Sequence, residues 1–142
     1  MEDEGMMPDL NFLAGGVDPN QLSPLALAYI GDAVFELYIR NRLISQGFIK
    51  VHSLHQEAVK RVNACLQARL LENIENELTE AELAIAKRGR NAKSGHVPKN
   101  AEVTEYRKST GLETLVGYLY LKGDYCRIEQ LLSKIDRILD EC

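Results

Sequence analysis

The sequence predicts an all-α domain, and three observations carry that expectation. Apolar residues recur at helical spacing in five stretches of the 142-residue chain. Each stretch opens on a residue able to cap a helix: Ser23, Ser53, Thr79, Asn100 and Asp124. No alternation of polar and apolar residues long enough for a strand occurs anywhere, and there is no internal repeat or low-complexity segment. At this length the chain is expected to be one domain able to bury a core. Met1 to Asp9 is expected to be a frayed acidic leader, and residues 10–142 the domain.

After the leader, Leu10, Phe12 and Leu13 suit a short turn before Gly15 and Gly16, and Asp18, Pro19 and Asn20 suit a polar turn. Then comes the stretch around which the chain is organised, Ser23 to Arg42: SPLALAYIGDAVFELYIRNR. Ser23 can cap a helix with Pro24 at its first position, and Gly47 offers a stop. Leu25, Leu27, Ile30, Val34, Leu37 and Tyr38 recur near helical spacing, and Ala26, Ala28, Tyr29, Ala33, Phe35 and Ile39 make the remaining faces mostly apolar. Such a helix is expected to be buried. Yet Asp32 stands in its middle, with Glu36 one turn on. A carboxylate there is costly unless it is paired, wetted or metal-bound. Gly31 before it weakens the helix and points to close approach of another segment.

Ser53 and Gln56 have capping-box spacing, and Leu54, Ala58, Val62, Cys65, Leu66 and Leu70 form one apolar stripe of a second helix. His52 and His55 lie off that stripe and read as surface residues rather than metal ligands. Glu72, Glu75 and Glu77 make a solvated acidic connection. Thr79 and Glu82 open a third helix, with Lys87 and Arg88 in its last turn and Gly89 after it.

Residues 87–100 change character. Lys87, Arg88, Arg90, Lys93 and Lys99, with His96, two glycines and Pro98 and no acid, make an open positive loop. In a chain of net charge −4 and pI near 5.4, which excludes a general basic coat, that contrast points to phosphate binding as an alternative to a solvated charge run. The glycine spacing does not fit a Walker A loop. Asn100 can cap a helix through Tyr106, Arg107 and Lys108, continuing as TGLETLVGYLYL. There Leu112, Leu115, Val116, Leu119 and Tyr120 bury one side, and Glu113 is the sole acid. Thr110 and Glu113 also have capping-box spacing. Asp124 begins a last helix with Ile128, Leu131, Leu132, Ile135, Ile138 and Leu139 facing inward.

No apolar run reaches the length of a membrane span, and MEDEGMMPD is unlike a secretory signal, so a cytoplasmic protein is expected. Cys65, Cys126 and Cys142 are far apart and lack CxxC spacing, which predicts reduced thiols and neither a zinc site nor a disulfide framework.

Two apolar helices, each with an isolated carboxylate, call for a common explanation. YIGDAVFELYI and STGLETLVGYLYL together resemble the ribonuclease III catalytic domain, whose signature helix carries leucine-glycine-aspartate and whose late helix carries a glutamate with glycine four residues on. Here these are Ile30-Gly31-Asp32 and Glu113 to Gly117. LALAYIGDAVFELYIR, LHQEAVKRVNA, KRGRNAKSGHVPKN and YRKSTGLETLVGYLYL resemble the Mini-III subgroup, which is the catalytic domain alone, over most of Leu22 to Asp124.

The resemblance implies a ribonuclease III-like helical bundle and a magnesium-dependent endoribonuclease of double-stranded RNA. Asp32 and Glu113 would be its catalytic metal ligands, and water activated at the metal its nucleophile. Leu25, Ala28 and Thr110 stand where the longer enzymes carry acids, which leaves more water in the magnesium shell. Glu36 reads as a packing or interface residue. Lys87, Arg88, Arg90, Lys93, His96, Lys99, Arg107 and Lys108 are the expected RNA contacts. The resemblance further implies a homodimer paired through the signature helix, no membrane association, and a precursor of 23S ribosomal RNA as substrate in a bacterial cytoplasm or chloroplast stroma. The competing expectations are a catalytically silent RNA-binding or ribosome-assembly module of the same fold, and a plain helical interaction domain.

Overall fold

Ser23 caps the first helix as its position predicts, its hydroxyl accepting from the N–H of Ala26 at 3.1 Å. In the computed structural model, which describes residues 16–93 and 102–142, this helix, α1, spans Pro24–Ser45. It stops ahead of Gly47, whose φ of +100° only glycine adopts readily. Before it, Pro19–Gln21 forms a short 3-10 turn capped by Asp18, which matches the expected polar turn. The leader, Leu10, Phe12 and Leu13, and residues His96, Pro98, Lys99 and Asn100 lie outside the described residues.

The stretch expected to be one second helix is two. Val51–Arg61 forms α2 and Ala64–Ile74 forms α3. The Asn63 side chain makes the break, accepting from the N–H of Leu66 at 2.9 Å and donating to the carbonyls of Val59 and Lys60. It starts a new helix by capping it. The expected Ser53–Gln56 box is not formed, because α2 already begins at Val51 with Lys50 at its cap.

Thr79 and Glu82 do make the capping box of α4, Glu80–Asn91. That helix runs two residues past Gly89, which was expected to end it. Gly89 is there for packing: a Cβ on it would overlap the Thr114 side chain of the next helix. That helix, α5, spans Val103–Lys122 and is capped by the Glu102 carboxylate, which accepts from Thr104 and Glu105 N–H groups. Thr110 lies in its interior, its hydroxyl donating to the Tyr106 carbonyl at 3.0 Å, so no second box forms with Glu113. Tyr125–Leu132 forms α6, followed by a 3-10 segment over Ser133–Glu141 that keeps Ile135 and Ile138 inside. Every regular element among the described residues is helical.

Helix α5 is the centre of the bundle, with α1, α3 and α4 packed against it. From Ser109 to Gly117 only Glu113 escapes full burial. The expectation that α1 is buried all round is therefore corrected. Leu27, Ala28, Phe35, Ile39 and Leu43 face α5 and the core, while Leu25, Tyr29, Leu37 and Ile44 are exposed. The 3-10 segment is held by Asp136, which pairs with Arg42 of α1 and Arg61 of α2.

That anchoring brings the C-terminal residue to the start of α3, where Cys142 and Cys65 form a disulfide with Cα atoms 6.1 Å apart. Reduced thiols were expected at all three cysteines. A separation of 77 residues hid the pairing, which is created by the return of the last segment onto α3. Cys126 is free and exposed.

Candidate active site

Two glycines set a close crossing of α1 and α5. A Cβ on Gly31 would fall inside the carbonyl of Glu113, and one on Gly117 inside the carbonyl of Leu27. With no side chain at either position, α1 and α5 meet backbone to backbone. Asp32, the residue after Gly31, is thereby brought against Glu113. The two carboxylates, 81 positions apart in sequence, reach hydrogen-bond distance of each other.

The pair occupies the boundary between core and solvent. Asp32 is on the exposed side of α1 and Glu113 is mostly buried. Burial first, and the neighbouring Asp32 second, push the Glu113 carboxyl up to about 8. Among the described residues no lysine or arginine pairs with either acid. The wet-edge alternative thus describes Asp32's exposure, while a buried salt bridge does not describe its surroundings.

A third helix contributes a residue that reasoning from sequence passed over. Gln67 of α3 is 5% exposed and its Nε2 donates to Oε2 of Glu113 at 3.4 Å. The signal was available: Gln67 is an uncharged polar residue next to Leu66 and Ala68 and one turn from Leu70 and Leu71. The other positions at which the longer enzymes carry acids remain without them. Leu25 is half-exposed, Ala28 is buried, and the Thr110 hydroxyl is committed to the α5 backbone. Among the described residues no group of three or more His, Cys, Asp or Glu is placed to hold a metal. The protein donors available are the two carboxylates. These are hard oxygen ligands beside open solvent, and they fit a hard divalent cation that keeps waters in its remaining positions.

Among the described residues, the basic residues named from the sequence are mostly on helices rather than along one loop. Lys87, Arg88 and Arg90 lie in the last turns of α4, with Lys93 just beyond; Lys87, Arg88 and Lys93 are exposed and Arg90 is half-buried. Arg107 is exposed on α5. Lys108 is engaged within the protein, its Nζ 2.5 Å from Glu72 of α3. His96 and Lys99 belong to the residues that are not described. Glu36 bonds Arg40 along the exposed side of α1, and His52 and His55 are exposed on α2 as surface residues.

Two facing carboxyl groups at the solvent edge of a helical bundle are chemically suited to hold a divalent ion, and comparison with known proteins gives the family. The ribonuclease III domain matches residues 25–124. The chain is 46% identical over 116 residues to Mini-ribonuclease 3 of Symbiobacterium thermophilum, covering 82% of this chain and 89% of that one. It is 48% identical over 119 residues to Mini-ribonuclease 3 of Streptococcus pneumoniae, covering 82% and 93% of the two chains. A crystal structure of a Fusobacterium nucleatum protein superposes with a TM-score of 0.73 at 31% identity, over 87% of this chain and 97% of that one. The chain belongs to the ribonuclease III family, in the branch of the Mini-ribonuclease 3 proteins. It is an endoribonuclease of that family, whose members act on double-stranded RNA with a divalent metal ion.

Proposed function

We propose that this endoribonuclease is magnesium-dependent and works as a homodimer, and that its substrate is a base-paired segment of a 23S ribosomal RNA precursor in the bacterial cytoplasm, or in the stroma if the chain is plastid-borne. The observation that carries the reading is the facing of Asp32 and Glu113 at the α1–α5 crossing. In this reading the two carboxylates hold the ion. When bound, magnesium supplies an activated water and a sink for charge on the phosphodiester.

The chain's own residues do the rest. Gly31 and Gly117 fix the separation of the acids, and the half-buried Glu113 keeps one wall of the site free of bulk water. Lys87, Arg88, Lys93 and Arg107 present positive charge to the phosphate backbone of a duplex, which is read mainly by shape. His96, Lys99, Arg90 and Lys108 are proposed to add to that surface, Lys108 on release from Glu72. Among the described residues no helix is long and apolar enough to cross a membrane.

Two observations support the dimer. Leu25, Tyr29, Leu37 and Ile44 make one exposed stripe on α1, with Tyr29 at 85% exposure. The stripe borders a groove of about 550 Å³ whose walls include Leu37, Tyr38, Tyr120 and Tyr125. Twofold pairing along α1 would place two copies of Asp32 near one duplex, one for each strand. The test is cleavage of a long RNA duplex, and of a duplex from the 23S precursor, with magnesium and with chelator. Cleavage only with magnesium is expected. Binding without cleavage would favour the silent RNA-binding module.

A further inference from the structure

Gln67 reaches the acid pair from an element that is rigid for reasons unrelated to it. Helix α3 is capped by Asn63 and anchored through Leu66, Leu70 and Ile74, all fully buried. A primary amide is an expensive group to place among them unless it meets a polar partner. The partner is the Glu113 carboxylate, at 3.4 Å from the amide nitrogen. The amide nitrogen carries no acceptor, so the interaction has one sense: the amide donates to Oε2. Asp32 stands at the same carboxylate from α1. Glu113 is thus flanked by a second carboxyl group and by a neutral donor on different helices. Its side chain has three torsions, and contact with Asp32 at one oxygen leaves the orientation of the carboxyl group unfixed.

Building on the metal-site reading above, we propose that Gln67 is a positioning residue: its amide N–H holds one oxygen of Glu113, so that the other is presented to the gap shared with Asp32. The neutral donor does this without adding a charge to the site, which a lysine or arginine would neutralise and a third acid would load further. Gln67 acts through Glu113 and touches neither ion nor RNA.

The test is titration of the purified full-length chain with Mn2+ alone, with bound ion read by electron paramagnetic resonance. Wild type, Asp32→Asn, Gln67→Met and Gln67→Asn are compared. Met keeps the volume without the donor. Asn keeps the amide but is one methylene too short to reach. Loss of a residue that orients a metal ligand typically costs 10–100-fold in affinity. Both Gln67 variants are expected to weaken Mn2+ binding by about tenfold, to raise the metal concentration for half-maximal cleavage by a similar factor, and to leave duplex affinity in chelator unchanged. A purely structural Gln67 would shift the melting temperature and leave Mn2+ affinity within about twofold, which overturns the proposal. If wild type binds Mn2+ no better than Asp32→Asn, the metal-site reading itself falls, and the positioning role with it.

Discussion

Gly31 packs its bare α-carbon against the carbonyl oxygen of Glu113, so the backbone of one candidate catalytic helix touches the residue that carries the other helix's acid. The contact joins stability to chemistry. A methyl group at Gly31 meets backbone rather than a flexible side-chain end, so α1 and α5 must separate to admit it. Overpacking of this kind costs about 1–3 kcal/mol or more. Gly31→Ala and Gly117→Ala are each expected to lower the melting temperature by about 5 °C or more and to depress cleavage in the fraction that remains folded. Gly47→Ala is the comparison. It meets nothing within 4 Å and suffers only from its φ of +100°, so it should lose about 1 kcal/mol and keep full specific activity. Thermal melts and initial rates on the same preparations separate the two effects.

The charged groups give opposite dependences of stability on pH. Hydrogen bonds from Arg127 hold the Glu82 carboxylate below its usual range against the effect of burial, with the Thr79 N–H adding to them. Its contribution is present above the unfolded value of 4.5 and is lost as pH falls through the lower folded value. Arg127→Met should therefore lower the melting temperature at pH 7, with the difference from wild type shrinking as pH falls below 4.5 and through the lower folded value. Glu113 has the reverse sign. Raised to about 8, it contributes most below 4.5, and that contribution is lost as pH rises through 8. Without metal, Glu113→Gln should flatten the fall in stability between pH 5 and 8, and it should also remove the extra stabilisation that magnesium gives wild type at pH 8. An unchanged slope in Glu113→Gln would show that the carboxyl is not perturbed.

The positive surface is separable from the bundle. Lys87, Arg88 and Lys93 are exposed, and Arg90 is half-buried. Replacing Arg88, Arg90, Lys93 and Lys99 together by Ala should weaken duplex binding, with the log–log salt slope reduced by roughly 1 or slightly less per lost phosphate contact. Circular dichroism should remain helical. Unchanged affinity and slope would leave these residues as a solvated charge run.

How much of this was legible in the sequence depends on the range of the interaction. Ser23, Asp18 and the Thr79–Glu82 box were readable because a cap is settled within four residues. The acid pair was legible only because Gly31-Asp32 and Glu113 to Gly117 resemble a known pattern; spacing alone does not bring residues 32 and 113 together. Gly89 was misread as a helix stop because its reason is a neighbour on α5, not its own helix. Asn63 was passed over inside an apolar stripe that continues across the break between α2 and α3. The Cys65–Cys142 bond and the Gln67–Glu113 contact are long-range, and neither carries a local signal strong enough to assign a partner.

The exposed stripe of α1 bears directly on assembly. Sedimentation at micromolar concentration should give a species of about twice 16.0 kDa. Leu37→Asp, which puts a charge in the middle of the stripe at a position 57% exposed in one chain, should shift it toward one copy without unfolding it. A wild-type monomer that cleaves both strands of a duplex would contradict the twofold arrangement.

The most direct test of the account is the initial rate at which Asp32→Asn cleaves a long RNA duplex in magnesium, with folding verified by its melt and Glu36→Gln as the control. The substitution keeps the side chain's size and removes its charge, so the ion should be held poorly. The rate is expected to fall by orders of magnitude, while duplex affinity persists or rises as repulsion from phosphate is relieved. Glu36, which bonds Arg40 on the outer side of α1, should leave the rate near wild type. A folded Asp32→Asn protein cleaving at close to the wild-type rate would contradict the assignment of Asp32 and Glu113 as the catalytic pair.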